Sequence, residues 1–271
     1  MVNVLLKISY NGAAFCGFAR QPKTLTVQGN IEEALRLLFK REVLSVCAGR
    51  TDAGVHAREQ YISFELEDEE FNKRSVREFI KSLNALTHDD IHVHSCVEVP
   101  LGFSARFDAR LREYRYFLCL EETPSLFLND FSWHVGPQLN IDAMRNASVC
   151  LIGEHDFKSF CLAASAKDKR TIRTVTKISL DEVSILDERF LQITICGNAF
   201  LHSMIRTIVG SLVLIGKGHR EEVWLKRALD ACDRCAAGQT APAKGLVFWH
   251  VSYDGEVLYS PGKNAEHTLR V

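Results

Sequence analysis

The stretch VLLKISYNG (residues 4–12) decides the fold of the N-terminal half. Val4, Leu6, Ile8 and Tyr10 alternate with residues of the other face, which is the period of a β-strand. Asn11 and Gly12 then form a dipeptide that is typical of turns. The stretch therefore predicts a first strand that ends in a tight turn.

The next ninety residues predict two helices and three further strands. Val27, Ile31 and Leu35 recur at helical spacing and indicate an amphipathic helix over about residues 27–41. The remaining predicted elements are strands at 43–47, 60–66 and 91–99 and a helix over 76–83. The order β-α-β-β-α-β is that of the split βαβ motif, an antiparallel sheet with helices on one face.

The second half of the chain loosely repeats this plan. Its predicted elements are strands at 110–120, 171–180, 190–196 and 246–253 and helices at 141–151, 200–214 and 220–232. An irregular span occupies 121–136. We therefore predict an α+β protein with two halves, 1–103 and 104–271, that pack as one body.

The composition is that of a globular protein. Of 271 residues, 46% are hydrophobic and 25% are charged. No apolar run approaches the roughly 20 residues that a membrane helix needs, and the strand-like start suggests no leader sequence. The nine cysteines are odd in number and scattered, which favours free thiols in a reducing cytoplasm.

A metal site is not expected. Cys232 and Cys235 form a CxxC pair, but no second pair or His partner lies near it in sequence. His92 and His94 alternate along a predicted strand, which is more typical of a solvated face. The sequence therefore predicts neither a zinc site nor a redox site.

Charge is balanced overall but segregated along the chain. The formal net charge of -1 does not mark a nucleic-acid-binding protein. Residues 65–70 hold five acids in six positions and predict a solvated strand end. The stretches 106–115, which begins with Arg106, and 158–177, which contains Lys167 and Lys169, are locally basic. Such stretches can contact a phosphate backbone, although most charge runs are only solvated surface.

The run AGRTDAGVHA (residues 48–57) places Arg50 and Asp52 between Gly49 and Gly54. A carboxylate held on a turn beside a cation stays ionised and can act as a nucleophile. From these residues alone, a turn with a solvated aspartate is the alternative.

This run resembles the signature of the tRNA pseudouridine synthase A family, in which it carries the catalytic aspartate. NAFLHSMIR (198–206), REYRY (112–116) and APAKGL (241–246) resemble further motifs of that family, and the similarity covers nearly the whole chain. The resemblance implies two split-βαβ (ferredoxin-like) halves that form one continuous antiparallel sheet with helices on its outer face. It also implies a homodimer that binds tRNA, needs no cofactor and no metal, and isomerises uridine to pseudouridine at positions 38, 39 and 40.

The resemblance gives roles to individual residues. It makes Asp52 the nucleophile, pairs Arg206 with it, and stacks Tyr114 on the target uracil. Arg50 would enter the space left by the flipped nucleotide, and Leu246 would line the base pocket. Without the resemblance, Arg206 would be interpreted as a surface residue of an amphipathic helix, and Tyr114 and Leu246 as ordinary sheet residues.

Three positions depart from the family pattern. Phe18 replaces a tryptophan, Glu59 replaces a glycine, and Thr87-His88 replaces Leu-Pro. Phe18 lacks an indole donor and Glu59 adds negative charge near the site. We therefore expect that RNA affinity or position preference differs from that of the family.

Two other functions were weighed against the isomerase. A non-catalytic tRNA-binding module would gain nothing from a carboxylate that faces phosphates, so Asp52 disfavours it. A metal-dependent hydrolase would use Asp52 and His56 with another acid, but no ligand set has convincing spacing. We interpret His56 as a hydrogen-bonding group that holds the loop.

Overall fold

The computed structural model describes residues 1–162 and 170–254. In that part of the chain, ten strands form an open, mostly antiparallel sheet that is combined with six α-helices. The strands are β1 (Val2–Tyr10), β2 (Val46–Cys47), β3 (His56–Leu66), β4 (Ile91–Val99), β5 (Leu111–Cys119), β6 (Trp133–His134), β7 (Gly153–Asp156), β8 (Ile172–Ile185), β9 (Glu188–Gly197) and β10 (Leu246–Ser252). The helices are α1 (Val27–Phe39), α2 (Asp68–Asn72), α3 (Val76–Leu86), α4 (Ile141–Ser148), α5 (Met204–Gly216) and α6 (Val223–Asp230). The predicted α+β class is confirmed.

The chain forms two compact units. Unit 1 contains residues 1–53, 57–110 and the described residues from His250 to Asp254. Unit 2 contains residues 54–56 and the described part of 111–249. The division predicted at residue 103 stays a prediction. None of the described helices is long and apolar enough to cross a membrane.

Unit 1 is built around β1, which pairs antiparallel with β3 on one side and with β4 on the other. Leu6 and Ile8 of β1 and Ile31 and Leu35 of α1 are all fully buried, so the apolar periodicities mark the core as predicted. Thr26 begins α1, because its hydroxyl accepts the N–H of Gly29. The predicted elements occur in the order β-α-β-β-α-β, with the unpredicted short helix α2 between β3 and α3. The strand β2 is shorter than predicted.

The acidic run does not form a strand end, and that prediction is wrong beyond Leu66. The chain turns there into α2, and the N–H of Glu67 donates to the Glu70 carboxylate at 2.9 Å. Arg41 also donates two hydrogen bonds to Glu70, at 2.8 and 2.6 Å. Acids in a first helical turn interact favourably with its unpaired N–H groups and its dipole, so the run starts a helix.

Unit 2 contains the strand order β5-β9-β8-β7, with all three pairs antiparallel and β6 parallel to β5. The apolar helix α5 buries most of its side chains, among them Met204, Ile208 and Leu212. It begins at Met204 and not at the predicted residue 200, because Ser203 adopts a left-handed φ of 60° that no helix continues through. The short strands β6 and β7 were not predicted.

Candidate active site

The Asp52 loop, defined as residues 48–53, follows β2 and lies in unit 1. Its first half is fixed by the side chain of Gln60 on β3, which is fully buried. The Nε2 of Gln60 donates to the carbonyl of Gly49 at 2.6 Å, and the N–H of Gly49 donates to Oε1 at 3.3 Å. Both backbone groups of one loop residue are therefore bound by a single side chain.

The second half of the loop is fixed at Thr51. The phenol oxygen of Tyr10 lies 2.8 Å from the hydroxyl oxygen of Thr51, and both residues are buried. The N–H of Phe18 donates to the carbonyl of Thr51 at 3.1 Å. Burial raises the pKa of Tyr10 well above its usual range, so the phenol stays neutral and keeps its proton for hydrogen bonding.

Gly17 brings a second segment directly against the Asp52 loop. It has a left-handed φ of +100°, and a Cβ there would lie 3.2 Å from the carbonyl oxygen of Thr51 and 3.4 Å from the nitrogen of Ala53. Only glycine combines this conformation with so close an approach of two backbones. The loop is therefore supported by backbone packing as well as by side chains.

The predicted site residues of the loop alternate with these anchors. Arg50 is exposed and Asp52 is half-buried, whereas Gly49 and Thr51 carry the hydrogen bonds to Gln60 and Tyr10. The structure thus brings Arg50 and Asp52 together on one fixed loop, with their side chains accessible to a ligand.

Arg106 lies on a separate turn of unit 1. The N–H of Ser104 donates to the Asp108 carboxylate at 2.7 Å, and the N–H of Asp108 donates back to the carbonyl of Ser104 at 3.1 Å. The guanidinium of Arg106 is 5.4 Å from the ring centre of the exposed Phe107. Arg106 is therefore an exposed cation on a well-braced turn.

Tyr114 lies on β5 in unit 2, with 7% of its surface exposed. Its ring centre is 4.6 Å from that of Phe248 and 5.3 Å from that of Phe200. The rings of Tyr114 and Phe200 are nearly perpendicular, at 83°, in a T-shaped arrangement. Aromatic neighbours at these distances fix the orientation of a ring.

Arg206 lies on α5 and is half-buried. Its Nε donates to the carbonyl of Ala241 at 2.8 Å, and the N–H of Ala241 donates to the carbonyl of Arg206 at 3.0 Å. Further along the helix, the hydroxyl of Ser211 accepts the N–H of Gly238 at 3.0 Å. Residues 238–241 are therefore held against the helix that carries the arginine.

Leu246 begins β10 and is 5% exposed. A Cβ at the preceding Gly245 would lie 2.6 Å from the ring of Tyr116, whose hydroxyl donates to the carbonyl of Pro242 at 2.8 Å. The segment 241–246 thus links Arg206 to the tyrosine strand, and unit 2 brings Tyr114, Arg206 and Leu246 into one neighbourhood.

His56, which belongs to unit 2, holds a neighbouring segment. Its Nε2 is 3.0 Å from the carbonyl oxygen of Asp130, and its ring centre is 4.6 Å from that of Phe131. These contacts bind His56 to the short helical turn Asn129–Phe131, and the expectation that it holds the Asp52 loop stays a prediction.

The unusual Glu59 is buried, with 6% of its surface exposed. Burial alone would favour the neutral acid, but His250 and Lys7 bind the carboxylate at 2.6 and 2.5 Å. These two groups hold the pKa of Glu59 at about 2. Its negative charge is therefore matched by neighbours within unit 1.

Lys167 and Lys169 lie outside the described residues. Within 1–162 and 170–254, no group of three or more His, Cys, Asp or Glu side chains is arranged to hold a metal ion.

Sequence reasoning did not identify Gln60 or Tyr10 as partners of the Asp52 loop. A signal for Gln60 was its position on the same strand face as Ile62, Phe64 and Leu66, where a buried amide needs hydrogen-bond partners. Tyr10 gave no such signal, because an aromatic residue at the end of a strand is ordinary.

The family model described as tRNA pseudouridine synthase matches residues 7–108 and 147–254 of this chain. A tRNA pseudouridine synthase A of Brevibacillus brevis is 41% identical over 248 residues, which are 91% of this chain and 97% of the relative. One of Thermotoga neapolitana is 40% identical over 255 residues, 93% of this chain and all of the relative. A chain of a Cbf5-Nop10-Gar1 complex has a TM-score of 0.34 and 11% identity over 77% of this chain and 54% of that chain, which is too little to support a conclusion. The sequence matches show that the chain belongs to the tRNA pseudouridine synthase family.

Proposed function

We propose that this chain isomerises uridine to pseudouridine at positions 38, 39 and 40 of the tRNA anticodon stem-loop, with Asp52 as the nucleophile. Membership of the tRNA pseudouridine synthase family makes it an isomerase that acts on tRNA. The observation that carries the assignment to Asp52 is its place on the loop, half-buried beside two anchored residues, Gly49 and Thr51.

The reaction breaks the bond between uracil N1 and ribose C1′ and forms a bond between C5 and C1′. N1 gains a proton and C5 loses one, so the atoms balance without an oxidant or a second substrate. A carboxylate nucleophile can hold the reactive intermediate while the base turns. The site must exclude water during this step, because water would intercept the intermediate.

Three more residues take part in this proposal. Arg206 pairs with the Asp52 carboxylate and orients it, as a charge-assisted hydrogen bond does. Tyr114 stacks on the uracil and takes part in the proton transfer at C5. Leu246 lines the pocket that receives the base. Packed aromatic neighbours around Tyr114 support its assignment, because a stacking ring must be held in orientation.

The substrate base has to leave the helical stem before it can react, at a cost of a few kcal/mol. We propose that Arg50 fills the vacated space, for which a long planar cation is well suited. Arg106, Lys167 and Lys169 bind the RNA backbone. The proposed enzyme acts in the cytoplasm as a homodimer and uses neither a metal nor a cofactor.

The release of tritium from tRNA labelled at uridine C5 tests this function. Wild-type protein should release tritium in the presence of a chelator, and Asp52→Asn should release none while it still binds tRNA. Asp89→Asn, at an exposed position of the same unit, is the matched control and should keep full activity. Binding of tRNA by the wild type without tritium release would indicate a non-catalytic tRNA-binding module.

A further inference from the structure

We infer that Tyr10 and Gln60 are positioning residues for the isomerisation, because they hold the backbone of the Asp52 loop on both sides of Arg50. The inference rests on the proposed role of Asp52. Neither side chain belongs to the loop, and the sequence motif that carries Asp52 includes neither of them.

The first hold is at Gly49. Gln60 binds both the carbonyl and the N–H of this residue, at 2.6 and 3.3 Å. Its Oε1 also accepts the N–H of Tyr61 at 3.2 Å, which fixes the amide group itself on β3. A fully buried amide with three hydrogen bonds cannot turn away without leaving polar groups unpaired. The strand β3 therefore determines where Gly49 lies.

The second hold is at Thr51. The hydroxyl groups of Tyr10 and Thr51 are 2.8 Å apart in a buried environment. Tyr10 is the last residue of β1, so the hydrogen bond connects the loop to the central strand of unit 1. The ring of Phe18 lies 6.1 Å from that of Tyr10, and the backbone N–H of Phe18 binds the same threonine. Thr51 is thus held through its side chain and through its carbonyl.

The hydrogen bonds at Gly49 and Thr51 limit the backbone motion of Arg50 and Asp52. Consecutive Cα atoms are about 3.8 Å apart, so Arg50 lies between two fixed points and Asp52 follows the second directly. The backbone at Arg50 cannot rotate without breaking one of the holds. A catalytic group must be kept within about 0.5 Å of its productive position, and a displacement of about 1 Å can lower a rate about 100-fold. The holds therefore contribute to the rate and not only to stability.

The test compares three variants that each remove one hydrogen-bonding group with one variant that keeps it. Tyr10→Phe and Thr51→Val each remove one hydroxyl of the Tyr10–Thr51 pair, and Gln60→Leu removes the amide. Thr51→Ser keeps the hydroxyl at position 51. We expect Tyr10→Phe, Thr51→Val and Gln60→Leu to lower the single-turnover rate at saturating tRNA about 10- to 100-fold, with the Kd for tRNA changed less than twofold. Thr51→Ser should recover most of the rate. Tyr10→Phe combined with Thr51→Val should be no slower than the slower single variant, because both changes remove the same bond.

Two matched controls separate positioning from a general loss of stability. Asn84 binds the N–H and the carbonyl of Val93 at 2.7 and 2.9 Å, as Gln60 binds those of Gly49, but it lies on α3. Thr87 is a buried threonine whose hydroxyl donates to the carbonyl of Leu83 at 3.0 Å. Asn84 is exposed, unlike Gln60, so Asn84→Leu serves as a control for the bonding pattern and Thr87→Val as a control for burial. Both variants should leave the rate unchanged at temperatures where they remain folded.

The inference is wrong if Thr51→Val reacts as fast as the wild type, or if the two controls slow the reaction as much as the loop variants do. Two other outcomes would refute the proposed function itself: no pseudouridine formation by the wild type, or full activity of Asp52→Asn. Because the inference rests on the role of Asp52, either outcome would refute the inference as well. If Tyr10→Phe does not fold, the comparison of Thr51→Val with Thr51→Ser decides the question.

Discussion

Arg206 and Ala241 exchange two hydrogen bonds, one from the arginine Nε to the alanine carbonyl and one from the alanine N–H to the arginine carbonyl. The side chain and the backbone of Arg206 are thereby fixed to the segment that leads to Leu246. The orientation of the guanidinium in unit 2 is therefore determined by its neighbours before any RNA binds.

Arg206→Lys should lower turnover by at least about 100-fold and leave tRNA affinity within about twofold. Lysine keeps the charge but has no Nε–H, so it cannot bind the Ala241 carbonyl and present a planar fork at the same time. The measurement is the single-turnover rate of pseudouridine formation together with the Kd for tRNA.

Arg227→Lys is the control for this change, since Arg227 is an exposed arginine on α6. It should react at the wild-type rate. If Arg206→Lys kept the wild-type rate, a positive charge at position 206 would be sufficient for turnover and the planar guanidinium would not be needed.

Gly210→Ala should destabilise unit 2 and slow the reaction. A Cβ at Gly210 would collide with the backbone carbonyl of Gln239 in the segment that Arg206 holds. Overpacking of this kind costs typically about 1–3 kcal/mol, and the segment 238–241 would have to move away from α5. Urea unfolding and the turnover rate check the two effects.

Gly216→Ala on the same helix is the matched control. Its Cβ would meet side-chain atoms only, 2.5 Å from the sulfur of the buried Met144 and 3.1 Å from Cδ2 of Leu139, and side chains can repack where a backbone carbonyl cannot. The loss of stability should be smaller and the rate unchanged. If Gly210→Ala and Gly216→Ala lost stability and rate equally, the position of segment 238–241 would have no particular importance for the reaction.

Glu59 should make folding stability depend on acidic pH. Its pKa of about 2 in the folded protein lies below the ordinary glutamate value of 4.5, so the stabilisation is present above about pH 4.5 and is lost as the pH falls towards 2. The shift corresponds to roughly 3–4 kcal/mol. Glu59→Gln should be less stable than the wild type by about this amount at pH 7, and the difference should shrink at pH 3.

Urea unfolding at both pH values measures this difference, and Glu65→Gln, at an exposed position of the same strand, is the control. The control should show little difference at either pH. A difference between Glu59→Gln and the wild type that does not change with pH would exclude the carboxylate pairing as its cause.

Arg106→Gln should weaken tRNA binding and flatten its salt dependence. Loss of one phosphate contact lowers the slope of log K against log salt by about 1. Arg77→Gln on α3, which is also exposed, should leave the slope unchanged. An unaltered slope for Arg106→Gln would place that turn outside the RNA-binding surface.

Local patterns predicted much of the fold. The alternation from Val4 to Tyr10 and the helical spacing from Val27 to Leu35 are local patterns, and both elements lie where the patterns put them. The start of α5 was predicted four residues early, because the left-handed backbone of Ser203 has no signal in its side chain. The acidic run was misassigned, because the same residues suit a solvated strand and a helix N-terminus.

In the site, too, local features were predicted from the sequence and long-range contacts were not. A contiguous motif predicted Arg50 and Asp52 as site residues, since the ten neighbouring residues 48–57 form one recognisable pattern. The contacts of Gly49 with Gln60 and of Thr51 with Tyr10 join residues that are 11 and 41 positions apart. Such contacts depend on strand register, and register is set by the whole sheet and not by the residues that meet.

The position of pseudouridine in tRNA after incubation with the protein tests the central claim most directly. Unmodified tRNA is treated with wild type or Asp52→Asn, and each pseudouridine is mapped to its nucleotide. We predict pseudouridine at positions 38, 39 and 40 with the wild type and none with Asp52→Asn, although both proteins bind the tRNA. Equal modification by the two proteins, or none by a wild type that binds tRNA, would contradict the account.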